Sequence, residues 1–123
     1  MNYAEISDLQ VNIAVASKLG VNAKVEDGLL FTSKVHDGEN VISVTTVTDH
    51  CNNPSDAWPI ILENKIGITF VNGEWRASSV AAGYHEFSNI NALRAVCCCF
   101  LLMNNVDISA QSAHTAMVAD TIM

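Results

Sequence analysis

A chain of 123 residues with 6 basic and 13 acidic side chains carries a formal net charge of −7. That surplus of acid disfavours nucleic acid as a partner, because such binding rests largely on neutralised phosphates. Half of the residues are apolar and 15% are charged, which excludes a disordered chain and indicates one domain that needs no metal or disulfide staples.

The first element expected is a helix at about 7 to 19. Ser7 can cap it, Gln10 completes a capping-box pattern, and Gly20 can close it in the left-handed conformation. Leu9, Ile13, Ala16 and Leu19 are read as its apolar face. Strands are expected next at Leu29 to Val35 and Val41 to Val47, reversing at Asp37-Gly38. The segment from His50 to Lys65 breaks the β pattern. Its Asn, Pro, Ser and Asp residues suit a loop, followed by a helix of about two turns near 55 to 64. Pro59 is tolerable there only in the first turn.

Asn72-Gly73 lies between two β-rich runs and is the preferred pair for a two-residue hairpin turn. Strands are therefore expected at about 66 to 71 and 74 to 80, followed by a loop at 83 to 89. Asn91 can cap a helix from Ala92 to Met103 that is apolar nearly all round, so it belongs in a core or a subunit interface. This longest apolar run is too short to span a bilayer, no signal-peptide pattern is read, and no membrane partner is expected. The fold class is α+β: a small antiparallel sheet, with hairpins near 29–47 and 66–80, packed by three helices. Residues 1–104 form the expected domain, and 105–123 a tail that is a weak helix or frayed.

Four cysteines occur, Cys97, Cys98 and Cys99 consecutively and Cys51 alone. Neighbouring cysteines make strained disulfides, and a secreted framework spaces them apart, so they read as apolar packers in a reducing compartment. No ligand pair among His36, His50, Cys51 and His85 has metal-binding spacing, and no metal or cofactor is expected. His50 and Cys51 are adjacent, and neighbours on an extended segment point to opposite sides, which argues against a thiol dyad. Phosphate loops, dinucleotide fingerprints and hydrolase elbows are absent from the sequence.

Three segments in order, CNNPSDAWPIILENKI at 51–66, GEWRA at 73–77 and NALRAVCCCFLLM at 91–103, resemble the NinX-like family of small proteins encoded by lambdoid phages and prophages. The resemblance covers about residues 1 to 104; the triple cysteine departs from it. It implies a dispensable phage accessory protein made in the cytoplasm of the infected bacterium, with no activity to transfer. Phages often direct such genes against host defences, for instance by sequestering a nucleotide-derived immune signal; this is an analogy.

The candidate site centres on Asp49 to Trp58. Trp58 could stack on a ring, while Asn52, Asn53, Ser55 and Asp56 hydrogen-bond its polar edges. The competing reading makes Asn53 to Asp56 a helix cap and Trp58 a core residue. Arg76 and Arg94 are the candidate phosphate ligands, weighed against ion pairs within the protein. The expectation is a non-enzymatic protein that binds a small anionic, nucleotide-type ligand and assembles as a homo-oligomer through the helix at 92–103. The alternatives are an inhibitor that docks on a host or phage protein without a ligand, and a small hydrolase.

Overall fold

The computed structural model describes residues 6–36 and 42–106. Helix α1, Asp8–Leu19, starts at the expected capping box. The Gln10 amide donates to Ser7 Oγ at 3.2 Å, and the Ser7 amide donates to Gln10 Oε1 at 3.1 Å. Gly20, at φ +75°, ends it. Of the expected face Ala16 is buried, Leu9 and Ile13 are half-buried and Leu19 is exposed, while the deepest burial falls beside it, at Val11, Asn12, Ala14 and Val15. The helix is apolar on two adjacent stripes, and the Val11–Ala14–Val15 stripe joins the core cluster with α3.

The chain then builds a sheet of three antiparallel strands in the order β1 (Asn22–Glu26), β2 (Leu29–His36), β3 (Ile42–Val47). Strand β1 was not expected from the sequence. It is mostly exposed, so it lacks an apolar alternation. Its signal is the Asp27-Gly28 pair, whose φ angles of +52° and +75° suit a primed hairpin turn. The expected β2–β3 hairpin forms, with Phe31 opposite Val47 and Thr32 opposite Thr46; the reversal at Asp37-Gly38 lies outside the described residues.

Helix α2, Pro54–Asn64, is capped by the Asn53 side chain, which accepts the Ser55 amide at 3.0 Å. Pro54 takes the first helical position, where its missing N–H costs nothing. The helix starts one residue earlier than expected and runs 11 residues, which puts Pro59 in its second turn and not its first.

A second three-stranded antiparallel sheet follows: β4 (Gly67–Val71), β5 (Glu74–Ser79) and β6 (His85–Asn89). Asn72 and Gly73 make the expected turn at φ +53° and +82°. The expected loop at 83–89 is largely strand β6. Phe87 pairs opposite Ala77, and His85 opposite Ser79, on the face that meets α3. The two expected hairpins thus belong to separate sheets, within an α+β fold.

Helix α3, Ala92–Met103, is the centre of the molecule. Asn91 caps it by accepting the Leu93 and Arg94 amides at 3.0 and 3.3 Å. It packs on β5, β6, α1 and α2, and every residue from Arg94 to Leu101 is buried. After it, Val106 folds back onto the core. The expected tail structure beyond residue 106 lies outside the described residues. Among the described residues no helix is long and apolar enough to cross a membrane.

Candidate functional site

The segment between β3 and α2 is tied down by side chains from three directions. The Asp49 amide donates to Asp56 Oδ2 at 2.9 Å, and the Asp49 carboxylate accepts from Asn12 Nδ2 at 2.8 Å. Asn52 Nδ2 donates to Asp49 and to Asp8 Oδ2, the latter at 3.1 Å. The Cys51 amide donates to Asn12 Oδ1 at 3.1 Å, and Asn91 Nδ2 donates to the Cys51 carbonyl at 2.8 Å. Asn91 also reaches Asn52 Oδ1 at 3.1 Å. The result is a polar brace that locks this loop to α1 and to the cap of α3.

Arg94 extends the brace into the interior. Its side chain meets Asp8 Oδ1 at 2.5 Å and also donates to the Ile6 carbonyl. Burial pushes the Asp8 carboxyl upward, but hydrogen bonds from Asn52 and Arg94, with the guanidinium charge, outweigh it and hold the group below its ordinary value.

The sequence-derived site residues therefore divide. Asn52, Asp56 and Arg94 share the brace, and Asn53 is the α2 cap. Trp58 stands open at 56% exposure, beside exposed Leu62 one turn on. Arg76 lies on the second sheet, its Nε 3.4 Å from Glu86 Oε2, and joins neither group.

A cleft of about 280 Å³ opens where the inner face of the first sheet, the end of α1 and one side of α2 come together. Thr32, Thr46 and Thr48 line the sheet side, Leu19 and Val21 the α1 side, and Ser55, Asp56, Pro59, Ile60 and Glu63 the α2 side. Trp58 and Leu62 do not line it. His50 does, although only 4% exposed, and its Nδ1 is buried with no hydrogen-bond partner among the described residues. Burial holds the imidazole below its ordinary pKa against the opposing charges of Asp56 and Asp49, so it is neutral at pH 7. The Thr32 and Thr48 hydroxyls share a hydrogen bond of 2.6 Å.

Of the expected ligand contacts, Ser55 and Asp56 fall in this cleft. The threonines were not part of that expectation; His50 lies within the expected segment, Asp49 to Trp58, but was not among its ligand contacts. The signal for the threonines is the alternation Thr46, Thr48 at the end of β3, which gives both side chains one side of the strand; His50 follows in the turn after it.

The thiols are unsuited to nucleophilic chemistry. Cys51 is fully buried in the core, its Sγ 3.9 Å from the Asp8 carbonyl, whereas His50 faces the cleft. A hydrogen bond with Cys51, then burial, pushes the Cys97 thiol well up. Burial lifts Cys98 to about 12 and Cys99 to about 11, so both stay protonated at neutral pH. Among the described residues no group of three or more His, Cys, Asp or Glu side chains could hold a metal ion.

The family model described as Bacteriophage P22, NinX matches residues 2–104. No curated protein matches the chain. Among solved structures, a phage protein from Bacillus cereus ATCC 14579 is similar at a TM-score of 0.58 and 16% identity, over 87% of this chain and 95% of that one. At that identity the likeness concerns the fold.

Proposed function

Because the chain belongs to the phage P22 NinX family, we propose that it is a phage accessory protein of the infected host's cytoplasm that binds a small nucleotide-derived immune signal and holds it without turning it over. The observation that carries the binding is the His50 cleft. It sets four apolar side chains, Leu19, Val21, Pro59 and Ile60, beside convergent hydroxyls, carboxylates and an imidazole, and its volume of about 280 Å³ lies at the small end of ligand sites. The protonated, buried thiols favour holding over hydrolysis. The phage family is what supports the counter-defence role, by analogy. In this reading Ser55 and Asp56 touch the ligand, while Asn52, Asn53 and Arg94 position the loop that carries them.

The test is depletion and recovery. The protein is incubated with a panel of cyclic and ADP-ribose-type nucleotides, separated, and heated to release what it held. A nucleotide depleted from solution and recovered intact is the expected result. Conversion to product would make the protein an enzyme, and no depletion across the panel would remove the ligand. Thr46→Trp, which fills the cleft from the sheet side, should abolish depletion, whereas Trp58→Ala should not.

One observation favours a second reading, docking on a protein partner or a second copy. Exposed Trp58 and Leu62 share one side of α2, and on the second sheet Phe70 and Trp75 pair edge-to-face with ring centres 5.0 Å apart, both exposed. Exposed aromatic clusters mark interaction surfaces. Loss of partner capture or of self-association in Trp58→Ala or Trp75→Ala, with nucleotide depletion absent, would favour it.

A further inference from the structure

Resting on the ligand-binding reading above, we propose that the cleft takes the uncharged ring of its ligand, a nucleobase-type heterocycle with an amide-like donor–acceptor edge, against His50 Nδ1, and leaves any phosphate outside. The lining has the chemistry for the ring and not for the phosphate. Among the described residues its charged side chains are Asp56 and Glu63, with no lysine or arginine. Among these residues a phosphate drawn inside would meet two carboxylates and no cation. The two arginines expected to bind phosphate lie outside the lining, beside Asp8 and Glu86.

The uncharged groups are of the opposite kind. A neutral imidazole nitrogen accepts or donates according to its tautomer, and a threonine or serine hydroxyl can do either. A ring edge with N–H beside C=O or a ring nitrogen presents both roles within one bond length. Of the Thr32–Thr48 pair, one hydroxyl donates to the other, and the accepting one keeps its own hydrogen to offer. Leu19, Val21, Pro59 and Ile60 supply apolar contact for the faces of a flat ring. The buried Nδ1 is the most specific sign, since a native fold rarely leaves such an atom without a partner.

The experiment titrates the full chain separately with adenosine, inosine, uridine and inorganic phosphate, by calorimetry and by the ¹⁵N resonances of the His50 ring. At least one nucleoside should bind and shift those resonances; phosphate should do neither. His50→Asn, which keeps a polar atom near the place of Nδ1, should bind within a few-fold of the parent. His50→Phe should lose roughly tenfold or more, the worth of one buried hydrogen bond. Thr46→Val, a near-isosteric change, serves if the phenylalanine variant does not fold, and should also weaken binding. Nucleoside binding that none of these variants alters, or binding of phosphate that displaces the nucleoside, would overturn the inference. So would depletion of intact nucleotides with no nucleoside binding, a result that leaves the ligand-holding function standing. Failure of nucleosides, nucleotides and phosphate alike would end both.

Discussion

Removing either end of the Arg94–Asp8 pair should have unequal consequences. The Arg94 side chain is 9% exposed, whereas that of Asp8 is 41% exposed. Asp8→Ala removes the carboxylate partner of a cation in the interior, with the Ile6 carbonyl still beside it, and deletes one of the acceptors of Asn52 and the acidic group in the first turn of α1. Removing one partner of a buried charge costs about 3–5 kcal/mol, and the contacts that Arg94 keeps place this case near 3. Arg94→Met keeps much of the stem volume and leaves Asp8, which water can reach and Asn52 can still hydrogen-bond. That loss should be only about 1–2 kcal/mol, closer to the worth of a partly exposed pair. Urea denaturation at pH 7, with unchanged slope, reads both values. A methionine variant that costs as much as the alanine variant would refute the reasoning, since burial of the cation would then not govern the pair.

The His50 imidazole titrates lower in the folded protein than its ordinary 6.5, so the unfolded chain takes the proton first. Stability should be full above that value and fall as pH drops below it, and His50→Phe should flatten that fall below pH 6.5; a parallel slope in both proteins would contradict this. Thr32→Val and Thr48→Val should each cost about 1–2 kcal/mol by leaving the other hydroxyl without its partner, and the double variant should cost less than their sum. A thiol reagent at neutral pH should label Cys97, Cys98 and Cys99 only at the rate of global opening, measured against urea; rapid labelling of the native protein would contradict their burial.

What the sequence disclosed was local. The Ser7–Gln10 box, Asn91 before an apolar run and Asn72-Gly73 each fix an element through their own neighbours, and each element is where those residues predict it. Strands β1 and β6 escaped because most of their side chains stay in contact with water, which erases the apolar alternation, and their pairing comes from distant partners. The face of α1 was legible only in part, at Ala16, for a related reason: two stripes are apolar, and only the packed partner decides which lies deeper. At the site, Ser55 and Asp56 were legible because loop and cap chemistry concentrates there. The cleft itself was not, because it forms only when Thr32, the Thr46–His50 run and the inner side of α2 meet in space. Trp58, conspicuous in sequence as an aromatic beside polar residues, lies outside that lining.

Isotope labelling of the threonine and isoleucine methyls, followed during nucleotide titration, locates a bound molecule without assuming its identity. Shifts gathered at Thr32, Thr46, Thr48 and Ile60, with Ile90 and Ile13 unmoved, are the predicted result. Saturable binding that leaves those four methyls in place would contradict the cleft as the working site of the protein.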